Sequence, residues 1–256
     1  MASTEQQYAG EIHLEHLKIF SSEGVEADLS NIVVQINLFE DIFSSAFTGN
    51  IIIVDTLNLI EKLPILGQEY IELKCSTPQS RPTKNSVIEK RFILHSIVAR
   101  ESISSGAQSY SLDIATVDSI RNLKTRVSKS YTDSIDSIVF DVLKNQLGTS
   151  QPLNISPTQG IRRIVSPNVH PYTLVNLLKR EAVAAFGENL SPHFLFFENK
   201  NGLNFVSLEK LFFKPISARL NSGDKDSDLS IEALAINLND IRTAQGNKRI
   251  LSHSFG

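Results

Sequence analysis

Two histidines are the first residues in this 256-residue chain that could bind a metal ion. His13 and His16 lie in residues 12–20, whose apolar residues alternate as in a β-strand. Residues three apart on a strand point to opposite faces, so this pair cannot easily chelate one ion. The shift in apolar parity along the stretch instead predicts a β-bulge near Glu15 and His16. We therefore expect two solvated histidines and no metal site here.

An acidic loop near the C-terminus is the second candidate for a metal site. Asp224, Asp226 and Asp228 have the spacing of the first three ligands of a calcium loop. The sixth position is Leu229 where such a loop needs glycine, and the twelfth is Ala235 where it needs glutamate. The pattern favours a solvated loop, and we expect no metal and no cofactor.

The sequence shows no pattern typical of an enzyme. Cys75, the single cysteine, alternates with core residues, which favours a small buried side chain over a nucleophile. His95 lies in the middle of a predicted strand, and neither His170 nor His193 has a Ser/Asp or Cys/Asp arrangement nearby in the sequence. The nucleophile-elbow, phosphate-loop, dinucleotide-binding and zinc-protease motifs are all absent. We expect no catalytic residues.

The composition limits the kinds of partner that the chain is expected to bind. A net charge of -3 and the lack of clustered Lys and Arg argue against binding nucleic acid through a basic surface. No stretch has the signal-peptide pattern or the roughly 18 apolar residues of a membrane helix. We expect a soluble chain that folds in a reducing cytoplasm, with no membrane insertion.

The elements that organise the chain lie between Asn31 and Cys75. Alternation at Ile32, Val34, Ile36 and Leu38 predicts a strand with one face in a core, and strands are also predicted over residues 50–55 and 70–75. The link between the first two, residues 40–48, is unusually apolar. Its apolar residues either fill the barrel as a plug or form an exposed patch that a neighbouring chain covers. They are Ile42, Phe43 and Phe47.

After about six predicted strands, the sequence pattern indicates both helices and strands. A short helix is predicted over residues 117–124 with Ile120 and Leu123 inward, followed by an amphipathic helix over residues 133–147 capped by Ser130 or Thr132. A second long helix is predicted from Pro171 to about Phe186. Two apolar runs around residues 199–202 predict a β-hairpin with an Asn-Gly turn. The predicted domains are a β-domain over 1–128, an α/β domain over 129–215 and a partial β-domain over 216–256.

Several stretches resemble the baseplate hub proteins of contractile-tailed bacteriophages, the tail-tube-like trimers that carry the central spike. The resemblance begins in residues 40–69, which read EDIFSSAFTGNIIIVDTLNLIEKLPILGQE. It continues in residues 109–124, SYSLDIATVDSIRNLK, in residues 166–182, SPNVHPYTLVNLLKREA, and in residues 194–208, FLFFENKNGLNFVSL. The order of these stretches adds to their specificity.

The resemblance implies a mainly β (α+β) fold: a tail-tube-like antiparallel β-barrel or sandwich, an α/β domain and part of a second tube-like β-domain. It implies a homotrimer that joins the six-fold tail tube to the three-fold spike. The resemblance favours the exposed patch over the plug, so Ile42, Phe43 and Phe47 are the candidate interface residues. Its implied partners are the central spike, the tail tube or tube initiator, and baseplate wedge proteins. DNA would pass through the channel without specific binding. The protein would be assembled in the host cytoplasm and reside in the virion.

Two alternatives remain at this stage. A tail tube or tube-initiator protein would share the barrel and form hexameric rings, but the α/β domain disfavours it. A baseplate-associated cell-wall hydrolase would need a carboxylate pair or a nucleophile that the sequence does not display. Residues 216–256 leave room for only two or three strands. We therefore expect either a truncated sequence or a minimal hub that borrows strands from neighbouring chains.

Overall fold

The computed structural model describes residues 12–21, 24–56, 59, 69–76, 87–104, 106–185 and 192–212. By their contacts, Met1–Leu208 form one compact unit and Glu209–Gly256 a second. The acidic loop at residues 224–228 and the predicted partial domain over 216–256 lie outside the described residues.

Seven antiparallel strands form the first part of the fold. Their order across the sheet is β2-β1-β5-β6-β7-β4-β3. The strands are β1 His13–Phe20, β2 Glu26–Asp28, β3 Val33–Phe39, β4 Thr48–Asp55, β5 Tyr70–Ser76, β6 Val87–Ser104 and β7 Ala107–Thr116.

The sheet curls around one hydrophobic cluster. Leu17 on β1 and Ile53 on β4 belong to the same buried cluster, although three strands separate β1 from β4 in the sheet. Register shifts that mark β-bulges help the strands to bend. One lies between Leu14 and His16, as the sequence predicts.

β3 departs from its predicted pattern. Val34 is 65% exposed, whereas Ile32, Val33, Ile36 and Leu38 pack against the cluster. The register between β3 and β4 shifts between Val33 and Gln35, so a bulge reverses the alternation there. Three of the four predicted core residues, Ile32, Ile36 and Leu38, face the core, and at the bulge Val33 takes the place predicted for Val34.

Helices and two small sheets form the second part. β10 pairs only with β8 among the described strands, and β12 lies between β11 and β9, antiparallel to β11 and parallel to β9. The elements are α1 Val117–Lys124, β8 Ser130–Ser134, α2 Ile135–Asp141 with a π-helical turn Val142–Gln146, β9 Leu153–Ile155, β10 Ile161–Val165, α3 Pro171–Leu178, β11 Phe194–Asn199, β12 Gly202–Ser207 and α4 Leu208–Phe212.

The predicted helices in this part are partly correct. The amphipathic helix exists, but it starts at Ile135 after the cap position Ser134, and Ser130 and Thr132 belong to β8 instead of capping it. The second long helix ends at Leu178 and does not reach Phe186.

Backbone pairing explains the early end of α3. Gln159 N donates to Val183 O at 2.8 Å, and Ala185 N donates to Pro157 O at 3.1 Å. These bonds hold the chain after the helix against residues 157–159. Pairing with a distant segment therefore overrides the local helical preference of an alanine-rich stretch.

The hairpin β11–β12 confirms the predicted turn. Gly202 has φ 128°, and a Cβ atom there would lie 2.3 Å from the carbonyl oxygen of Pro152. Glycine is therefore required both for the turn and for the close approach of the preceding loop.

Two hydrophobic clusters lie within the first compact unit. One draws on residues 14–114 and the other on residues 127–205. The fold is mainly β with a small helical part, as the sequence predicts. The domain boundaries at residues 128 and 215 stay predictions.

Candidate assembly surface

The structure separates the three apolar residues of the link between β3 and β4. We call residues 40–47 the assembly segment. Phe43 is 73% exposed, and Ile42 is half-buried. Phe47 is 1% exposed, so it cannot offer its side chain to a neighbouring chain. The prediction that all three lie at an interface is therefore corrected for Phe47, which is a plug inside its own chain.

The surroundings of Phe47 explain why it is buried. Its ring makes an edge-on contact with Phe92, with centroids 5.6 Å apart. The ammonium of Lys90 lies 4.9 Å from the ring centroid, in cation–π range. Thr116 N donates to Phe47 O at 3.2 Å, which fixes the backbone as well.

A tight turn places Phe43 outside. Asp41 Oδ1 accepts a hydrogen bond from Phe43 N at 2.8 Å, and Asp41 O accepts one from Ser44 N at 3.1 Å. Aspartate is well suited to such turns because its carboxylate can bond the backbone two residues on. The aromatic ring is therefore held at the surface by backbone geometry.

Both ends of the assembly segment are attached to the second part of the fold. Lys200 N, in the turn of the hairpin, donates to the Glu40 carboxylate. Asn176 Nδ2, on α3, donates to Ser45 Oγ at 3.0 Å. These contacts reduce the mobility of a segment that has no regular secondary structure of its own.

A buried polar cluster holds the third attachment. We call Lys90, Thr116, Asp118, Gln151 and Glu198 the Glu198 cluster. The Glu198 side chain has no exposed surface. It accepts hydrogen bonds from Thr116 Oγ1 at 2.6 Å, Gln151 Nε2 at 2.7 Å, Lys90 Nζ at 3.3 Å and the backbone N of Phe47 at 3.3 Å.

Lys90 and Gln151 use their hydrogen-bonding groups fully. Lys90 Nζ contacts Gln151 Oε1 at 3.0 Å and Asn199 O at 2.8 Å, in addition to Glu198, so all three of its protons have an acceptor. Gln151 Nε2 donates to Glu198 and to Asp118 Oδ2, the latter at 2.8 Å. The cluster thus joins β6, β7, α1 and β11 with its polar groups paired.

Helix α1 departs from the prediction, since Leu123 is not buried and Ile120 is only half-buried. Its buried residues are Asp118 and Asn122, whereas Leu123 is 65% exposed. Asp118 accepts from Thr149 Oγ1 and pairs with Arg121 at 3.1 Å. Asn122 Oδ1 accepts from the backbone N of Tyr172 at 2.8 Å. The polar face packs inward because the adjoining structure supplies partners for it, and Leu123 is left at the surface.

The arrangement is suited to holding two parts of a fold together and not to proton transfer. A general base needs a lone pair directed at a substrate, and the Glu198 oxygens are occupied by donors. Burial, with the charges of Glu198 and Asp118 acting in the same direction, holds the pKa of Tyr172 above its ordinary value. Burial likewise raises the pKa of the Cys75 thiol, in keeping with the buried apolar role predicted for it.

No histidine, cysteine or carboxylate grouping in the described residues could hold a metal ion. Among these residues there is also no helix long and apolar enough to cross a membrane.

Sequence reasoning missed the Glu198 cluster because its five members come from four separate stretches of the chain. One signal was present: Glu198 follows four mostly aromatic residues, Phe194–Phe197, in a strand that is otherwise apolar. A charged residue in such a strand is expected to have a partner. Its partner, Lys90, is more than a hundred residues away in the sequence.

Comparison with known proteins identifies this fold among phage tail proteins. No protein-family model matches the chain, and no curated protein matches it. The 43 kDa tail protein of prophage MuSo2 from Shewanella oneidensis matches 75% of the chain with a TM-score of 0.50 and 8% identity.

Two further tail proteins have lower scores. The tail protein from Neisseria meningitidis MC58 covers 74% of the chain at 10% identity and a TM-score of 0.47. The prophage tail protein gp18 from Listeria monocytogenes EGD-e covers 76% at 9% identity and a TM-score of 0.47. The chain spans 53%, 49% and 51% of the three proteins, about half the length of each. The match to the MuSo2 tail protein, at a TM-score of 0.50, indicates that the chain shares the fold of that protein.

Proposed function

We propose that this protein is a structural component of a contractile phage tail: the trimeric baseplate hub, which joins the six-fold tail tube to the three-fold central spike and forms part of the DNA channel. The observation that carries the proposal is the fold, which includes the curled seven-stranded sheet and matches the MuSo2 tail protein over 75% of the chain. The other proposed partners are the tail tube or tube initiator and the wedge proteins. The proposed location is the virion.

The assembly segment supports the proposal. An exposed phenylalanine that becomes fully buried between subunits contributes about 1.5–3 kcal/mol. The contacts at Glu40, Ser45 and Phe47 fix the segment before assembly, so little conformational entropy is lost on binding. We propose Phe43, supported by the half-buried Ile42, as the centre of the subunit contact.

The second hydrophobic cluster favours a hub over a tube subunit. Eighteen buried residues between Val127 and Phe205 form it, which is a sizeable core outside the seven-stranded sheet. A subunit whose task is to stack in rings has no need of this additional part. A hub must bind a tube on one side and a spike on the other, and the additional part supplies surface for the second task.

Light scattering of the purified protein at several concentrations tests the proposal. We expect the mass of a trimer. Phe43→Asp should leave a folded monomer, because each subunit contact would then have to bury a carboxylate that has no partner. A matched control is Phe212→Asp, which removes another exposed phenylalanine and should leave the trimer intact. A hexamer or open stacks would favour a tail-tube protein over a hub. Trimers of the Phe43→Asp variant would show that Phe43 does not lie at the interface.

A further inference from the structure

The outer edge of β10 has the features of a site that receives an additional strand. β10 and β8 form a two-stranded sheet, which is marginal by itself and gains stability from further strands or a packed face. Its inner face is packed, because Tyr131 belongs to the second hydrophobic cluster and Ile164 contacts it. Its outer face and its outer edge are both open within the described part of the chain.

The hydrogen-bond register shows which backbone groups face outward. Ser166 N donates to Lys129 O at 2.9 Å, so these two residues form a hydrogen-bonded pair. Ile164, two residues earlier, lies opposite Tyr131 in the same register. In an antiparallel pair every second residue bonds to the partner strand, so Arg162 and Ile164 bond to β8. The N–H and C=O groups of Ile161, Arg163 and Val165 therefore point to the outer edge.

The side chains of the same three residues are exposed. Ile161 is 71% exposed and Val165 73% exposed, and Arg163 between them is also exposed. Among the described residues Arg163 has no ion pair or hydrogen bond, and the outward backbone groups have one contact only, a long one of 3.5 Å from Arg162 Nη1 to Ile161 O. One stretch of five residues thus combines unpaired backbone, two apolar side chains and an unpaired guanidinium.

The charge of Arg163 decides which kind of strand can bind at the outer edge of β10. Two copies of β10 that pair antiparallel over all three residues would bring Arg163 opposite Arg163, and like charges directly opposite each other are destabilising. A strand with a carboxylate opposite Arg163 and apolar residues opposite Ile161 and Val165 would satisfy every group on the edge.

We propose that β10 binds, by β-strand addition, an extended segment of a partner protein in which an Asp or Glu lies between two β-branched or other apolar residues at alternate positions. The main-chain bonds would supply affinity, and the arginine–carboxylate pair would select the register. The inference does not depend on the trimer of the proposed function.

A synthetic peptide with the core Val-Thr-Glu-Thr-Val is the probe, and the same peptide with Lys in place of Glu is its control. We expect NMR-detected amide exchange to slow at Ile161, Arg163 and Val165 when the first peptide is added at millimolar concentration. It should bind about threefold to tenfold more tightly than the control, because a favourable cross-strand pair replaces an unfavourable one. Arg163→Glu should reverse that preference, and Arg162→Glu, on the other face of the strand, should retain it.

Three results would overturn the inference: no slowing at the three amides, equal binding of the two peptides, or a preference that Arg163→Glu does not change. Slowing that grows with protein concentration in the absence of peptide would show that a second copy occupies the edge instead. Repeating the titration with the Phe43→Asp variant separates this result from the proposed function, since the edge should bind the peptide whether or not the protein forms trimers.

Discussion

Lys90 in the Glu198 cluster and Arg163 on β10 are both basic residues on strands, yet their surroundings differ completely. Lys90 is nearly buried, and each of its three protons has an acceptor. Arg163 is exposed, and within the described residues none of its donors has an acceptor. A buried charge must be paired within the chain because it has lost water, whereas an exposed one keeps its hydration until a partner arrives. The first therefore acts in folding, and the second is available for binding.

The largest effect should come from breaking the Glu198 cluster. Glu198→Leu removes the carboxylate that pairs with Lys90 and that accepts from Thr116, Gln151 and the backbone N of Phe47. Lys90 keeps two neutral acceptors, Gln151 Oε1 and Asn199 O, but loses its counter-charge. Removal of one member of a buried ion pair costs about 3–5 kcal/mol, and each additional buried donor left unpaired adds about 1–3 kcal/mol. We expect a loss of at least about 5 kcal/mol in the free energy of unfolding, measured by urea denaturation.

A matched control is Glu101→Leu, which removes an exposed glutamate and should change the free energy of unfolding by less than about 0.5 kcal/mol. If Glu198→Leu were as stable as this control, the cluster would not hold the two parts of the fold together.

The next effect should separate the two phenylalanines of the assembly segment. Phe47→Ala removes a fully buried ring packed against Phe92 and should cost about 3–5 kcal/mol. Phe43→Ala removes an exposed ring and should change the stability of the dissociated chain by less than about 0.5 kcal/mol. Thermal and urea unfolding of the two variants at low protein concentration checks this. Equal losses would mean that the segment buries both residues.

These two phenylalanines also show how much of the structure can be predicted from the sequence. Apolar residues in a polar link indicate that each needs cover, and they leave open whether the cover is internal or a neighbour. Phe47 is internal because Phe92 and Lys90, which are distant in sequence, surround it. The bulge in β1 and the β11–β12 hairpin could be predicted from the sequence, because the alternation of apolar residues and the residue types of a turn are local signals.

Failures occurred where distant contacts decide the structure. The apolar pattern of α1 predicts Leu123 inward, but Asp118 and Asn122 have buried partners in later parts of the chain. Helix α3 is shorter than its local sequence predicts, because the residues after it pair with residues 157–159. In each case the residues that override the local pattern lie outside any window in which periodicity is read.

A smaller effect is expected at the start of α2, where a carboxylate is paired but partly exposed. Asp136 Oδ1 accepts from Thr158 Oγ1 at 2.5 Å and Thr158 N at 3.2 Å, and Asp136 N donates back to Thr158 Oγ1 at 3.0 Å. Burial raises the pKa of Asp136, but the hydrogen bonds from Thr158 and Ser134 outweigh it, so the net pKa is lowered.

The sign of the pH dependence follows. A carboxyl group with a lowered pKa in the folded state stabilises the protein above its unfolded pKa of about 3.9, and this contribution is lost as the pH falls through the folded value. Asp136→Asn should therefore cost about 1 kcal/mol or less at pH near 7 and progressively less below about pH 4. Unfolding measured against pH for both proteins gives the difference, and a constant difference would exclude a role for the charge.

The smallest effect should come from the edge of β10, and it is the one that defines the contrast with Lys90. Arg163→Glu reverses a charge that has no partner among the described residues, so the free energy of unfolding should change by less than about 0.5 kcal/mol. Urea denaturation compares this variant with Lys90→Met. That substitution leaves the buried Glu198 carboxylate without its cation and should lower the free energy of unfolding by about 3–5 kcal/mol. A loss of more than about 1 kcal/mol for Arg163→Glu would mean that Arg163 already serves the fold, and β10 would then be a closed element like the Glu198 cluster.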